Sequence, residues 1–264
     1  MTVPSRPIGG EWPCLRYETI DSTSDEARRL IAGGGVAVPF VVWADAQTKG
    51  RGRGSNAWFS DEDSLTVTLA FDPAWAGIGP GREPLVSLAA ALALARAIEP
   101  TVGRRLAIRW PNDVEADGRK LAGILAERFD SPEGPRLLVG VGVNVATRFE
   151  SAPSEVRALA TSVVALGAGP ADSRGLPGLR HGIYRDFLRE FVAALHALAA
   201  DDPALLAGVN DRDSLDGHLV RVRQGERVAL GIGRGINPDG SLRLETAAVE
   251  VAVYGGQVLR DLDA

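Results

Sequence analysis

The segment Gln47-Thr-Lys-Gly-Arg-Gly-Arg-Gly-Ser-Asn-Ala-Trp58 places two arginines among glycines, five residues before a tryptophan. Glycine lets the backbone approach a ligand closely or adopt positive φ. The guanidinium groups of Arg51 and Arg53 are planar forks that match phosphate or carboxylate, and Trp58 offers a face on which a purine can stack. The segment therefore indicates an anion-binding loop, although a charged surface hairpin would have the same composition.

The composition is that of an ordinary globular protein. The chain has 264 residues, 45% of them hydrophobic, which is enough to form a substantial core. Its net charge of -5 argues against a protein whose main role is to coat nucleic acid. Cys14 is the only cysteine, which excludes an internal disulfide and a thiolate metal cluster. The N-terminus has no signal segment and no apolar stretch near the roughly 20 residues needed to span a bilayer. We therefore expect a cytoplasmic protein without a membrane anchor.

Strands and helices are mixed without strict alternation over residues 1–213, which favours an α+β fold over a doubly wound parallel sheet. Thr23 and Glu26 have the spacing of a capping box and predict a helix that ends at the glycines 33–35. Alternation over residues 65–71 predicts a half-exposed strand, and Pro100 is expected to end a buried helix over residues 83–98. The other predicted strands cover residues 15–20, 40–44, 106–110 and 136–145, and the other predicted helices cover 154–166 and 179–199.

After Asp213 the sequence changes to short β-rich runs separated by glycine turns. These runs cover residues 218–223, 227–232, 241–245, 249–254 and 257–260. Asn237-Pro-Asp-Gly240 is the strongest turn signal among them. We predict two domains, a larger one over residues 1–213 and a small β-barrel over residues 214–264.

A second motif carries candidate catalytic groups. Arg109-Trp-Pro-Asn-Asp113 is followed by Gly118-Arg-Lys-Leu-Ala-Gly-Ile-Leu125, so that a lysine lies seven residues after a carboxylate. A tight connection would bring Asn112, Asp113 and Lys120 together, with the lysine stem anchored by the apolar run that it begins. Asn112 and Asp113 would also fit an Asx turn, and Lys120 a solvated strand end.

Together the two motifs resemble those of the biotin protein ligase family. The matching segments occur in the family's order: Asp21-Ser-Thr23, Gln47, Gly50-Arg-Gly-Arg53, Trp58, Trp110-Pro-Asn-Asp113, Lys120-Leu-Ala-Gly-Ile-Leu125 and Gly140-Val-Gly-Val-Asn144. The resemblance implies a mixed-sheet, class II synthetase-like catalytic domain of the biotin/lipoate ligase type with a C-terminal SH3-like β-barrel. It also implies that biotin and ATP, with Mg²⁺, give biotinyl-5'-AMP. A specific lysine of a biotin carboxyl carrier domain then takes the biotin.

The resemblance also assigns site residues. Those implied for biotin are Ser22, Thr23, Gln47, Gly50, Arg51, Lys120, Gly123 and Gly142. Those implied for ATP or the adenylate are Arg51, Arg53, Trp58, Asn112, Lys120, Asn144 and Arg260. Those implied for catalysis are Lys120, Arg53 and Asp113. The hydroxyl and amide groups of Ser22, Thr23 and Gln47 suit the ureido group of biotin, which needs partners when buried. Gly123, Gly140 and Gly142 would let strands pass close to the valeryl chain, although a glycine in a strand also marks a bulge.

Electrostatics agrees with this assignment. Unit like charges ~4 Å apart repel by ~4 kcal/mol at an effective dielectric constant of 20, and the reaction joins a carboxylate to a phosphate. Arg51, Arg53 and Lys120 would offset that repulsion. Asp113 would either orient the acceptor lysine or hold the metal, and the sequence leaves both roles open.

Two other functions fit part of the sequence. A lipoate-protein ligase has the same fold and adenylate chemistry, but its cofactor lacks the ureido group that Ser22, Thr23 and Gln47 would bind. A non-catalytic ligand- or RNA-binding protein could use Trp58 and the arginines without turnover. The chain departs from the family at Ser24, where asparagine is common, and at Asp61-Glu-Asp-Ser64.

The sequence argues against DNA binding but leaves the quaternary structure open. Some relatives carry an N-terminal helix-turn-helix domain, for which residues 1–14 are too short, so DNA binding is not expected. A monomer and a homodimer joined through sheet edges are both compatible with the sequence.

Overall fold

The structure is a computed structural model that describes residues 12–54, 56–169 and 175–259. Its larger part is built on a seven-stranded mixed sheet in the order β1-β2-β3-β7-β6-β5-β4, in which only the β1–β2 pair is parallel. The strands are β1 (Cys14–Ile20), β2 (Phe40–Gln47), β3 (Leu65–Phe71), β4 (Ala107–Arg109), β5 (Asp113–Ala116), β6 (Arg119–Ser131) and β7 (Gly134–Val143).

Helices cover both faces of this sheet. They are α1 (Thr23–Ala32), α2 (Glu83–Val102), α3 (Ser154–Leu159), α4 (Gly175–Ala199) and α5 (Pro203–Asn210), with a 3-10 turn at Val164–Leu166. The main apolar core joins α2 and α4 to one face, and a smaller cluster around Phe40, Val42 and Leu138 joins α1 to the other. Because side chains alternate along a strand, even-numbered residues of β3 and β7 lie on the α1 face. The candidate site is on that face.

The prediction that β3 is half-exposed is wrong, because all seven of its residues are buried. The two threonines that suggested exposure, Thr66 and Thr68, face α1 and satisfy their hydroxyl groups inside the protein. Thr66 Oγ1 donates to the carbonyl of Ala44 at 2.7 Å. A buried strand can therefore contain threonine wherever the hydroxyl finds a partner.

Three helix predictions also need correction. The helix expected to end at Pro100 continues to Val102 and ends at Gly103, whose φ is +64°; a proline this close to the C-terminus removes one hydrogen bond without breaking the helix. The capping box does not form, because α1 has Ser22 at its N-cap and that side chain makes no capping bond. The helix predicted over residues 154–166 is divided where Ala160 becomes extended and forms a β-bridge with Lys120.

Helix α2 meets the length and apolarity of a membrane span, with a mean hydropathy of 1.5 over its best window. Its apolar side chains are buried against the sheet and α4. Helix α2 is therefore a core helix of the larger part.

The C-terminal part is an antiparallel five-stranded sheet in the order β11-β10-β9-β8-β12. Its strands are β8 (Leu219–Gln224), β9 (Arg227–Ile236), β10 (Leu242–Glu245), β11 (Glu250–Val253) and β12 (Gln257–Val258). The predicted turn at residues 237–240 closes with a bond from the Gly240 amide to the Asn237 carbonyl, 2.9 Å. The architecture confirms the predicted α+β class with a separate C-terminal β-sheet, and the boundary at residue 213 stays a prediction.

Candidate active site

The floor of the candidate site is a pair of glycines on neighbouring strands. Gly123 of β6 lies opposite Gly142 of β7, and the indole of Trp58 lies on them. A Cβ at position 142 would be 2.3 Å from Trp58 Cε2, and one at position 123 would be 3.2 Å from Trp58 Cζ3. The tryptophan therefore packs on the surface that we predicted to contact the valeryl chain, and its buried Nε1 has no hydrogen-bond partner among the described residues.

The glycine-arginine loop folds as a hairpin. Trp58 N donates to the Gly50 carbonyl at 2.9 Å, Gly52 N donates to the Asn56 carbonyl at 2.8 Å, and Gly54 has a φ of +62°. A Cβ at Gly50 would lie 2.5 Å from the Trp58 carbonyl oxygen. Gly50 is thus required by the packing of the hairpin itself, and positive φ is required at Gly54 alone among the three loop glycines.

Gln47 connects β2 to the start of α1. Its Oε1 accepts hydrogen bonds from Thr23 N at 2.8 Å and from Thr23 Oγ1 at 3.1 Å. A side chain of another element therefore caps α1, and the amide Nε2 of Gln47 keeps its two protons for other partners. Ser22 is buried beside this contact.

Lys120 and Asp113 form the central ion pair of the site. Lys120 Nζ lies 2.7 Å from Asp113 Oδ1, at an angle outside hydrogen-bonding geometry, and 5.7 Å from the centroid of the Trp58 ring. The carbonyl of Lys120 accepts bonds from Thr161 N at 2.9 Å and from Asn144 Nδ2 at 3.3 Å. The backbone of the lysine is therefore fixed, while its side chain is about one-third exposed.

Arg53 is a partly buried cation. Its Nη1 donates to the carbonyl of Gly256, which precedes β12, at 3.2 Å. Burial lowers the pKa of Arg53, and the negative charge of Asp113 opposes that shift. No carboxylate lies within ion-pair distance of this guanidinium in the described part of the chain. Since a buried charge is costly without a counter-ion, an anionic ligand would stabilise this arrangement.

Arg51 has a different environment. Its guanidinium donates to Glu127 at 2.8 Å and to Asp25 at 3.0 Å, and Arg28 also pairs with Glu127 at 3.0 Å. Burial would lower the pKa of Arg51, but these two carboxylates raise it. Arg51 would have to exchange partners before it could bind a phosphate or the carboxylate of biotin.

The remaining predicted residues have structural partners or lie outside the described residues. Asn112 Nδ2 donates to the Ile124 carbonyl at 2.7 Å, so its amide group supports β6, as that of Asn144 does. Arg260 lies outside the described residues. The structure thus groups Trp58, Gly123, Gly142, Lys120 and Asp113 in one place.

Sequence reasoning missed several side chains that shape the site: Thr68, Ser24, Asp25, Glu127 and the backbone of Gly256. Thr68 gave a misleading signal because threonine alternating with apolar residues is typical of an exposed strand face. Glu127 lies two residues after the apolar run that ends at Leu125, and nothing in the sequence gave a reason to place it beside Arg51.

The residues present offer little for a resident metal ion. No group of three or more His, Cys, Asp or Glu side chains converges within residues 12–54, 56–169 and 175–259. Asp113 is already paired with Lys120. Asp113 could hold Mg²⁺ only together with a nucleotide. In such sites one protein carboxylate and the substrate phosphates bind the ion.

Comparison with known proteins identifies the family. The model of the Biotin/lipoate A/B protein ligase family matches residues 17–144. The chain is 33% identical over 249 residues to the biotin--[acetyl-CoA-carboxylase] ligase of Mycobacterium tuberculosis, an alignment that covers 90% of this chain and 85% of that protein. It is 28% identical to the bifunctional ligase/repressor BirA of Bacillus spizizenii over 92% of this chain and 73% of that one.

The fold has solved counterparts. The biotin protein ligase from Aquifex aeolicus in complex with biotin and ATP superposes with a TM-score of 0.75 at 24% identity, covering 94% of this chain and 97% of that one. At this identity the match concerns the fold, and the sequence relatives carry the assignment. From its sequence relatives, the chain belongs to the biotin protein ligase family.

Proposed function

We propose that this protein is a biotin protein ligase that converts biotin and ATP to biotinyl-5'-AMP and pyrophosphate, then transfers biotin to a lysine of a biotin carboxyl carrier domain. The observation that carries the proposal is that one sheet face holds both a polar pair suited to a ureido group and the cations suited to an acyl phosphate. Thr68, whose hydroxyl is bound to Thr23, lies beside Gly140. Lys120 lies over Gly123, the strand partner of Gly142, which is two residues or about 7 Å further along β7.

Recognition of biotin would use complementary groups at one end of this face. Gln47 Nε2 would donate to the carbonyl oxygen of the ureido group, and Thr23 Oγ1 would accept a hydrogen bond from one of its N-H groups. The valeryl chain would run over the glycine floor toward Lys120, and the Trp58 indole would shift to cover it. The reacting carboxylate would then arrive at the cations.

Adenylation would depend on charge compensation. The carboxylate oxygen attacks the α-phosphorus, the bond to the β-phosphate oxygen breaks, and pyrophosphate leaves. Lys120 and Arg53 supply the positive charge that this step needs. When Mg²⁺ is bound with ATP it neutralises phosphate charge, and the nucleotide supplies most of its ligands. Arg51 joins the anion once Asp25 and Glu127 release it.

Transfer requires a neutral amine. A lysine with an unperturbed pKa near 10.4 loses its proton at pH 7 at a cost of ~4.6 kcal/mol. Neighbouring cations lower that cost, and the carboxylate of Asp113 would accept a hydrogen bond from the incoming amine. The amine attacks the acyl carbon, a proton from its nitrogen would pass by way of Asp113 to solvent, and the bond from the acyl carbon to the phosphate oxygen breaks, so that AMP leaves and an amide remains. The ion pair with Lys120 favours this role for Asp113 over a role as metal ligand.

The same proposal includes the protein partner, the cellular compartment and the oligomeric state. The partner is the biotin carboxyl carrier domain of a biotin-dependent carboxylase, and the cytoplasm is the expected compartment. The protein would act as a monomer or a homodimer, without binding DNA.

The test is biotin-dependent exchange of labelled pyrophosphate into ATP with Mg²⁺ present. We expect exchange with biotin and none with lipoate. Lys120→Gln should reduce the rate by at least about a hundredfold, the range seen for a group that stabilises developing charge. Lys49 is the other lysine of the sequence and is exposed, so Lys49→Gln is the matched control. Exchange that depends on lipoate, or none with either acid, would overturn the proposal.

A further inference from the structure

A chain of hydrogen bonds runs from the core to the biotin end of the site. Ser24 Oγ lies 3.1 Å from Thr68 Oγ1, Thr68 Oγ1 lies 2.8 Å from Thr23 Oγ1, and Thr23 Oγ1 lies 3.1 Å from Gln47 Oε1. We call these four residues the hydroxyl relay. The three hydroxyl residues are buried, and Thr68 is completely inaccessible.

The direction of every bond in the relay can be assigned. The Thr23 backbone N-H lies 2.8 Å from Gln47 Oε1, and because this donor needs an acceptor, it fixes the amide with its oxygen toward Thr23. Thr23 Oγ1 must then donate its single proton to Gln47. Thr68 must donate to Thr23, and Ser24 must donate to Thr68.

This assignment restricts what Thr23 can recognise. Its proton is committed to Gln47 and one lone pair to Thr68, which leaves a lone pair for a ligand. Thr23 is therefore an acceptor only, and it favours a ligand that presents an N-H group. Gly140 leaves room for this arrangement, since a Cβ there would lie 3.0 Å from Ser24 Oγ.

We propose that Thr68, supported by Ser24, is a positioning residue. Gln47 takes the Thr23 proton, and the bond from Thr68 fixes the orientation of the Thr23 hydroxyl, so that its remaining lone pair faces a ureido N-H of the ligand. The inference rests on the proposed function. Thr68 is too deeply buried to contact the ligand itself, so it would act through Thr23.

The test compares biotin with the two cyclic carbamate analogues in which oxygen replaces one ureido N-H, by calorimetric titration of the full chain. Wild type should bind biotin more tightly than the analogue that lacks the N-H facing Thr23. Thr68→Val should weaken biotin binding about five- to tenfold, the value of one hydrogen bond, and leave that analogue unchanged. Thr68→Ser keeps the hydroxyl and should retain both affinities.

Thr66→Val is the matched control, because Thr66 is a buried threonine of the same strand and face whose hydroxyl is bound to the Ala44 carbonyl. It should lose stability without changing the ratio of the two affinities. If Thr68→Val does not fold, Ser24→Ala interrupts the relay at its far end and should weaken biotin binding about twofold, again without effect on the analogue.

Equal weakening of both ligands, or no weakening of biotin, would overturn the positioning role while leaving the ligase function intact. Wild-type protein that binds no biotin would overturn both proposals.

Discussion

Single atoms decide how the site is closed, and Gly142 shows this most directly. The indole of Trp58 occupies the volume in which any other residue would carry its Cβ. Real Cβ atoms do not approach other atoms as closely as 2.3 Å, so a side chain at position 142 must displace the ring. The glycine is therefore fixed by a neighbouring side chain and not by its backbone angles, which are those of an ordinary strand.

We expect Gly142→Ala to move Trp58 off the floor and to lower biotin affinity by at least about tenfold, because the new Cβ would occupy the floor over which the valeryl chain would run, and overpacking costs on the order of 1–3 kcal/mol. Acrylamide quenching of tryptophan fluorescence, compared with Trp58→Phe to isolate the signal, would measure the movement. Gly182→Ala is the control, because nothing lies within 4 Å of a Cβ there and alanine favours the interior of α4. Unchanged quenching in Gly142→Ala would contradict this account.

For single residues, the sequence predicted contacts between residues that are close along the chain and missed contacts between residues that only tertiary folding brings together. Lys120 and Asp113 were predicted to meet because a tight connection joins them, and Lys120 Nζ lies 2.7 Å from Asp113 Oδ1. The carboxylates that hold Arg51 lie 26 and 76 residues from it along the chain. Such pairs follow from strand register, which the sequence alone did not give.

Among the elements, the junction between β2 and α1 links stability to binding. The amide oxygen of Gln47 takes the place of an N-cap side chain, which Ser22 does not supply. The opposite end of the same amide faces the proposed ureido site. One side chain therefore caps a helix and recognises a ligand with different atoms.

We expect Gln47→Glu to keep the cap, because a carboxylate accepts both bonds from Thr23 and a negative charge at a helix N-terminus is favourable by about 0.3–1 kcal/mol. Gln47→Ala should lose about 1 kcal/mol of unfolding free energy, the usual value of a cap. Both variants should lose biotin binding, because neither has the donor. Urea unfolding and calorimetry would measure the two effects. A Glu variant as unstable as the Ala variant would show that the oxygen does not cap α1.

The elements themselves were largely predictable, and the exceptions have physical causes. Apolar runs and glycine turns gave most strands of both sheets within a few residues, but β5 and β6 were not predicted as strands. The burial of β3 was missed because a threonine hydroxyl satisfied internally looks the same in sequence as one that faces water. The division of the 154–166 helix was missed because the bridge between Ala160 and Lys120 joins segments that are 40 residues apart.

For the whole molecule, a partly buried carboxyl group lies where the two parts of the chain meet. Asp213 forms a β-bridge with Ile108, and the next residue, Ser214, donates its amide to the Ile108 carbonyl at 2.9 Å. Burial raises the pKa of Asp213 from 3.8 to about 6, although a hydrogen bond from Leu215 N opposes the shift. The junction is therefore more stable when the Asp213 carboxyl group is protonated.

The sign of the pH effect follows from this shift. Between pH 3.8 and about 6 the folded protein retains a proton that the unfolded chain has lost, so this group makes stability fall as pH rises, and above about pH 6 the full cost persists. A shift of about two units corresponds to about 3 kcal/mol at most. We expect Asp213→Asn to be more stable than wild type at pH 7 by about 1–3 kcal/mol, with the difference vanishing near pH 4. Urea unfolding at several pH values would measure it, and a constant difference would contradict the shifted pKa.

The bond between Arg53 and the carbonyl of Gly256 joins residues that are 203 positions apart. Contacts of such sequence separation form late, because the intervening chain must be ordered first. During synthesis the loop with its two arginines leaves the ribosome long before Gly256 exists, so Arg53 lacks this anchor in the nascent chain. The capacity to hold a reactive anhydride would therefore be completed only when translation reaches the last strand of the C-terminal sheet.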